Sequence, residues 1–195
     1  MKKLPFFILA AILTACGGND TETISEATEN IIEDVATNKV EITELEVTAA
    51  PILYIEEEAK LDGDSIALKL GEAYGEIMAF VGVNKLEMVG APLALTTEFS
   101  MEKMYWEFNA AIPTNLPEGV ELIGRIKSGT TYEGKAVKAL HIGSYDESVT
   151  TYNAIETYMK ENNLEANGEP WEEYVDDPSK VSQEELRTFI YFPIK

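Results

Sequence analysis

The residues best suited to bind a small molecule lie in the stretch GEPWEEYVDDP, which spans positions 168–178. In it Trp171, Glu172, Glu173 and Tyr174 follow one another between two proline-containing turns. Successive side chains of a strand point to opposite faces, so Trp171 and Glu173 would share one face and Glu172 and Tyr174 the other. Aromatic faces attract cations, and a buried carboxylate needs a partner. The stretch therefore predicts two chemically different faces, each with one aromatic ring and one acid.

The chain has few of the residues that nucleophilic triads and zinc sites use. The chain has one histidine, His141, and one cysteine, Cys16. Nucleophilic triads and zinc sites need several such side chains close together. Asp176 and Asp177 precede a proline and are typical of a turn. We therefore expect no metal site and no cofactor.

The N-terminus has the pattern of an export signal. Two lysines precede an apolar run at positions 4–13, which is shorter than the roughly 20 residues that a membrane span requires. The run ends in LTAC, which resembles a bacterial lipobox and predicts cleavage after residue 15 and lipidation of Cys16. By the same resemblance, Gly17 favours the outer membrane. The alternative is an ordinary secretory signal followed by an incidental cysteine.

Charge and composition divide the rest of the chain. It carries 35 acidic and 15 basic residues, for a net charge of −20. Nucleic-acid binding needs a basic patch, so it is not expected, whereas a cationic partner would be attracted. Residues 16–39 are polar and acidic and predict a flexible tether. Residues 40–195 have a length that suits one compact domain.

This domain contains an internal repeat. Glycines and prolines recur at offsets of 78 or 80 residues, in the pairs Gly63/Gly143, Gly90/Gly168, Pro92/Pro170 and Pro113/Pro193. The apolar periodicity recurs with them and predicts strand, helix, strand, strand in each half. We therefore predict an α+β domain with pseudo-twofold symmetry.

The apolar periodicity also predicts the bounds of the elements. In the first half we expect a strand at about 40–56, a helix at about 64–81, and strands at about 91–97 and 104–112. In the second half we expect strands at about 120–126 and 135–142, a helix at about 145–162, and strands at about 170–175 and 187–194. Ser144 and Glu147 have the spacing of a capping box for the second helix.

Several motifs resemble a known family. HIGSY (141–145), GEPWEEYVDDP and LRTFIYFPI (186–194) are similar to the second half of GyrI-like domains, and GAPLALT (90–96) and EFNAAIP (107–113) to the first half. These domains bind small molecules and also occur in multidrug-sensing MerR-type and AraC-type regulators. The resemblance implies antiparallel sheets around a central groove, helices outside, and an aromatic pocket with glutamates for lipophilic cations. No DNA-binding region accompanies the domain here, so transcription control and gyrase inhibition are not carried over.

The resemblance also implies site residues. It places the pocket carboxylate of the family on Glu172, so Glu172 and Tyr174 would face the groove and Trp171 the helix layer. In the last strand it places Phe189 and Tyr191 in the groove.

One position departs from the family pattern. Many members have glutamate where this chain has Phe189. Glu107, which shares a strand face with Tyr105, is the predicted source of the missing charge. Tyr145, at the start of the second helix, would line the edge of the groove.

Three functions follow as hypotheses. The first is a lipid-anchored protein of the bacterial envelope that captures an apolar or amphipathic compound, including a cationic one, in the groove. The second is a hydrolase of strained electrophiles, with Glu172 as general base and Tyr174 or Tyr191 as proton donor. The third is a protein-interaction role for the acidic surface. For each aromatic side chain the alternative is plain core packing.

Overall fold

Each half of the domain folds as strand, helix, strand, strand, as the repeat predicts. The structure, a computed structural model, describes residues 40–195. The first half consists of β2 (Pro51–Lys60), α1 (Gly63–Asn84), β4 (Leu93–Ser100) and β5 (Tyr105–Asn115). The second consists of β7 (Gly134–Ile142), α2 (Val149–Glu161), β8 (Trp171–Tyr174) and β9 (Arg187–Pro193). Three further strands are β1 (Ile42–Val47), β3 (Glu87–Met88) and β6 (Lys127–Thr130). The α+β prediction is confirmed.

The strands form a nine-stranded sheet whose order repeats the symmetry of the chain. The main order is β1-β7-β9-β8-β4-β5-β2-β6, with β3 paired to β5. In each half the last strand lies between the other two, and β8 joins β4 across the centre. All of these pairings are antiparallel.

Equivalent backbone hydrogen bonds mark the pseudo-twofold axis at the β4–β8 junction. The N–H of Thr96 donates to the carbonyl of Pro170 at 3.3 Å, and the N–H of Tyr174 donates to that of Pro92 at 2.9 Å. Both the donors and the acceptors are 78 positions apart in the sequence. The two halves therefore meet through the same contact made twice.

The repeated glycines and prolines also make equivalent contacts. A Cβ at Gly90 would lie 3.0 Å from the Pro113 side chain, and one at Gly168 would lie 3.6 Å from Pro193. In both halves the residue before the glycine donates its N–H to the carbonyl of that proline at 2.9 Å. Gly168 also has φ +139, which side chains rarely adopt. Close packing of a turn on a strand end explains why these residues recur.

Both helices pack on one face of the sheet, which we call the helix face. α1 buries Ala73, Ile77, Phe80 and Val81, and α2 buries Thr151, Ile155 and Met159. The opposite face, which we call the open face, carries a separate apolar cluster that contains no helix residue. Its buried members are Ile52, Leu93, Ala111, Ala136, Trp171 and Tyr191. The sheet therefore offers two faces with different surroundings.

Two predicted strands were wrong. The expected strand at 40–56 is divided into β1 and β2, because Pro51 starts a new strand and the chain changes partner from β7 to β5. The expected strand at 120–126 is irregular, and the short β6 follows it. Gly124 in this segment has φ +60, which interrupts an extended backbone.

The start of the second helix also differs from the prediction. A 3₁₀ turn (Tyr145–Glu147) precedes α2. Ser144 makes no capping hydrogen bond through its side chain, so the predicted capping box does not form. Its carbonyl instead contacts Nε2 of His141 at 2.9 Å.

The predicted signal (1–15), Cys16 and the whole predicted tether (16–39) lie outside the described residues. Neither of the two helices described here has the length and apolarity that crossing a membrane requires.

Candidate functional site

Glu172 lies on the helix face of β8, between the two halves of the domain. The Tyr152 hydroxyl of α2 donates to its Oε1 at 2.8 Å, and the Tyr174 hydroxyl donates to its Oε2 at 2.6 Å. Among residues 40–195 no lysine, arginine or histidine forms an ion pair with this carboxylate. Glu172 is thus a partly buried acid whose partners are two phenols.

Two more tyrosines complete what we call the tyrosine cluster. Tyr74 of α1 meets Tyr174 edge to face at 6.4 Å between ring centroids, and Tyr145 does so at 5.5 Å. The Tyr74 hydroxyl donates to the Leu93 carbonyl at 2.9 Å. Tyr145 is 41% exposed and forms the rim of the cluster.

Burial favours the neutral, protonated form of these tyrosines, which can donate a hydrogen bond. It raises the pKa of Tyr74, Tyr152 and Tyr174 well above 10.0, and the charge of Glu172 raises each of them further. The pKa of Tyr145 is also raised, first by burial and then by Glu172. All four tyrosines therefore stay protonated at pH values where a free tyrosine ionises, and the hydroxyls of Tyr152 and Tyr174 donate to the carboxylate of Glu172.

The pseudo-twofold axis explains the position of this site. Tyr74 and Tyr152 are 78 positions apart and occupy equivalent places on the two helices. Ala94 is the equivalent of Glu172, and the two are paired directly across the β4–β8 junction. Ala94 is fully buried and adds no polar group. One half thus supplies the acid and the other supplies a small residue beside it.

The open face carries a second group of aromatic rings. Trp171 and Tyr191 stack with their rings 4.7 Å apart and an interplanar angle of 5°. Phe189 and Tyr132 pack against them at 6.4 and 5.7 Å, respectively. The Tyr191 hydroxyl donates to Glu173 at 2.6 Å. A cavity of about 230 Å³ is lined by Trp171, Glu173 and Tyr191, and a second one of about 140 Å³ lies against Trp171 and Tyr132.

The expected single groove with Glu172, Tyr174, Phe189 and Tyr191 was wrong. Trp171 was expected on the helix layer but pairs with Tyr191 and shares the open face with it, as Glu173 does with Phe189. Directly paired residues of neighbouring strands lie on the same face. The register of β8 against β9 therefore leaves Glu172 and Tyr174 on the helix face.

The predicted residues of β5 lie apart from both groups. Glu107 pairs with Glu58 on one side and Glu98 on the other, near the end of the β4–β5 hairpin. It is separated from Phe189 by three strand spacings of about 4.8 Å and a further shift along β5, so it cannot supply the charge expected there. A hydrogen bond with Glu98 and burial raise the pKa of Tyr105 to about 12.

Sequence reasoning missed Tyr152 and Lys138 and assigned no role to Glu173. The offset of 78 from Tyr74 could have identified Tyr152. Lys138 of β7 carried no signal, because its role depends on a neighbouring strand. The buried His141 is held by Thr151 Oγ1 at 3.0 Å and by a backbone carbonyl, which is a structural arrangement. Residues 40–195 contain no group of His, Cys, Asp or Glu that could hold a metal ion.

The domain thus has a duplicated α+β fold with one acid and several tyrosines between its two halves. The model of the GyrI-like small molecule binding domain matches residues 39–195, and the chain belongs to that family. No curated protein sequence matches the chain.

Solved structures with the same fold are distant in sequence. The EcmrR C-terminal domain is 19% identical with a TM-score of 0.64, over 80% of this chain and 98% of that one. A second EcmrR structure is a complex with DNA. This chain spans 58% of the length of that EcmrR chain, with 80% of this chain aligned, 17% identity and a TM-score of 0.64. A hydrolase encoded by lin2189 from Listeria innocua is 17% identical with a TM-score of 0.59, over 82% and 94% of the chains. SAV2435 bound to tetraphenylphosphonium is 13% identical with a TM-score of 0.52, over 80% and 94%.

Proposed function

We propose that this protein is a lipid-anchored binding protein of the bacterial envelope that captures an amphipathic cation at Glu172. The observation that carries the proposal is the bonding of Glu172. Its two oxygens accept hydrogen bonds from Tyr152 and Tyr174, and no cation of the described chain pairs with it. Both hydrogen bonds come from tyrosine hydroxyls, so a cationic ligand would be the first positively charged partner of this carboxylate among the described residues.

The surrounding rings suit the apolar part of such a ligand. A cation over a tyrosine face gains roughly 0.5–2 kcal/mol, and the gain is larger where water is excluded. Tyr145 is the exposed member of the cluster and packs edge to face on Tyr174, so it offers a ring to a ligand at the rim. SAV2435, a protein of the same fold, is known in complex with tetraphenylphosphonium, a lipophilic cation, which makes this the first probe to use.

The test is a titration of the full chain with tetraphenylphosphonium, in which calorimetry measures the affinity. We expect Glu172→Gln to weaken binding at least tenfold, because the amide keeps the shape of the side chain and removes its charge. Triphenylphosphine oxide, which is neutral, should bind weakly to both forms. Glu156→Gln, on the exposed side of α2, makes the same charge change and should bind like the wild type. Equal affinity of the wild type and Glu172→Gln would refute the proposal.

A second candidate is hydrolysis of a strained electrophile at the same acid. The Tyr174 hydroxyl lies 2.6 Å from Glu172, which places a base and a proton donor together. Glu172 would take a proton from water, the water oxygen would attack the strained carbon, and a tyrosine hydroxyl would protonate the leaving atom as the ring bond breaks. Formation of the ring-opened product that is lost in Glu172→Gln would support this candidate. If no ring-opened product forms and the protein binds the cation, the result supports the function as a binding protein.

Anchoring through Cys16 is a separate prediction. The lipobox-like LTAC sequence supports lipidation, and Gly17 favours the outer membrane. We expect the wild type to incorporate labelled palmitate and to fractionate with membranes, and Cys16→Ser to do neither. Membrane fractionation and labelling of Cys16→Ser equal to the wild type would show that the protein is not anchored in this way. That nucleic acid is not a partner likewise remains a prediction from the net charge.

A further inference from the structure

The open face contains a charged pair that the tyrosine cluster does not use. Lys138 of β7 is paired with Tyr191 of β9, and Tyr191 is paired with Trp171 of β8. These three side chains form one row across the sheet. Glu173 and Phe189 form the next row. Five side chains from three strands therefore make a surface of rings with one cation and one anion, which we call the open-face site.

Lys138 is an ammonium held on aromatic rings. Its Nζ lies 3.4 Å from the centroid of the Phe189 ring and 5.0 Å from that of Tyr191. It forms no ion pair with an acid of the part of the chain that the structure describes. Burial lowers the pKa of Lys138, and the charge of Glu173 partly opposes this. A cation in this position is short of negative partners.

Glu173 is the complementary group. It lines the cavity of about 230 Å³, and its one hydrogen bond within the described residues comes from the Tyr191 hydroxyl. The rest of the cavity is mainly apolar, with Leu45 and Val47 of β1 and Leu93 of β4 in its wall. Glu173 and Tyr191 therefore line the cavity, and the ammonium of Lys138 lies 5.0 Å from the centroid of the Tyr191 ring.

Charge complementarity distinguishes three classes of ligand. A simple cation would pair with Glu173, but Lys138 already lies on the ring faces and repels it. A simple anion would pair with Lys138, but Glu173 and the net charge of −20 repel it. A zwitterion satisfies both groups and is neutral overall. Its positive end is drawn to Glu173 and its negative end to Lys138.

We propose that the open-face site binds a compact zwitterion with an aromatic or apolar body, the chemistry of a hydrophobic amino acid. The ligand ammonium pairs with Glu173, its carboxylate pairs with Lys138, and its body packs against the apolar wall of the cavity, to which Trp171 contributes. A volume of about 230 Å³ lies just below the range of roughly 300–1,000 Å³ for drug-sized ligands, which favours a small molecule. This site lies on the opposite face from Glu172 and does not depend on the function proposed there.

Three matched probes test the proposal on the full chain. L-Phenylalanine has both charges, phenethylamine lacks the carboxylate, and 3-phenylpropanoate lacks the amine. We expect L-phenylalanine to bind at least tenfold more tightly than either of the other two in calorimetry. Its binding should shift the indole N–H signal of Trp171 in NMR spectra and leave that of Trp106, on the helix face, in place.

Two variants assign the charges. Lys138→Met keeps the stem of the side chain and should reduce the affinity for L-phenylalanine to that for phenethylamine. Glu173→Gln should reduce it to that for 3-phenylpropanoate. Circular dichroism spectra and melting temperatures near those of the wild type are the control for folding of both variants. In a separate competition experiment with the wild type, saturating tetraphenylphosphonium should not displace L-phenylalanine.

Several results would overturn the inference. They are no binding of L-phenylalanine at millimolar concentration, equal affinity for all three probes, a shift of Trp106 in place of Trp171, or competition with tetraphenylphosphonium. The last of these would place both ligands in one site. Failure of the Glu172→Gln experiment alone would leave the open-face site unaffected, so the two proposals are tested separately.

Discussion

Above about pH 10 the domain is expected to lose stability steeply. Tyr74, Tyr152 and Tyr174 have pKa values well above 10.0 in the folded protein because these partly buried side chains are desolvated and lie near Glu172. In the unfolded chain they titrate near 10. The folded state then holds protons that the unfolded state releases, so the contribution is complete below pH 10 and decreases above it. Each such tyrosine lowers the free energy of unfolding by about 1.4 kcal/mol per pH unit.

Urea unfolding between about pH 8 and about pH 11 measures this effect through the slope of stability against pH. The double variant Tyr74→Phe/Tyr152→Phe should have a clearly smaller slope, because two of the titrating groups are gone. Tyr54→Phe, on β2 and outside the tyrosine cluster, is the matched control and should keep the wild-type slope. If the double variant and the wild type have the same slope, the tyrosine cluster does not govern the alkaline transition.

Replacing Phe108 with alanine is expected to lower the free energy of unfolding by about 3–5 kcal/mol. Phe108 is 1% exposed and is the largest of the fully buried side chains. It packs on Trp106 with ring centroids 4.3 Å apart and belongs to the cluster beneath α1. Removal of the Phe108 ring leaves a cavity. The strand β5 is paired with β2 on one side and β4 on the other along most of its length, so it cannot move to fill that cavity.

The control is Phe99→Ala, since Phe99 is 52% exposed near the end of β4. We expect that change to cost less than about 1 kcal/mol. Both variants are compared by urea unfolding at neutral pH. A loss of less than about 1 kcal/mol for Phe108→Ala would mean that the core is not organised around this side chain.

The fold could be predicted because its landmarks are backbone features. Glycine and proline at repeated positions reflect tight turns, so Gly90 and Gly168 identify the same turn in both halves. The break between β1 and β2 was missed because residues 48–50 contain no glycine, the apolar residues continue on both sides, and the single Pro51 did not by itself indicate the start of a new strand. Only pairing with β7 and β5 shows that these are two strands, and partner choice is a long-range property.

The candidate site could be predicted only in part. Alternation along β8 correctly grouped Trp171 with Glu173 and Glu172 with Tyr174. It could not say which group meets the helices, because that depends on how the sheet is covered. Glu172 was found through the resemblance, whereas Lys138 becomes a candidate only when β7 and β9 are seen side by side.

The pairing of Ala94 with Glu172 across the β4–β8 junction has a consequence for the origin of the site. In a dimer of two identical half-domains, both positions would hold the same residue. Two glutamates would oppose each other directly and repel, and two alanines would leave no charge. A single carboxylate between the two equivalent helices therefore needs two halves whose sequences differ at this position, as Ala94 and Glu172 do within this one polypeptide.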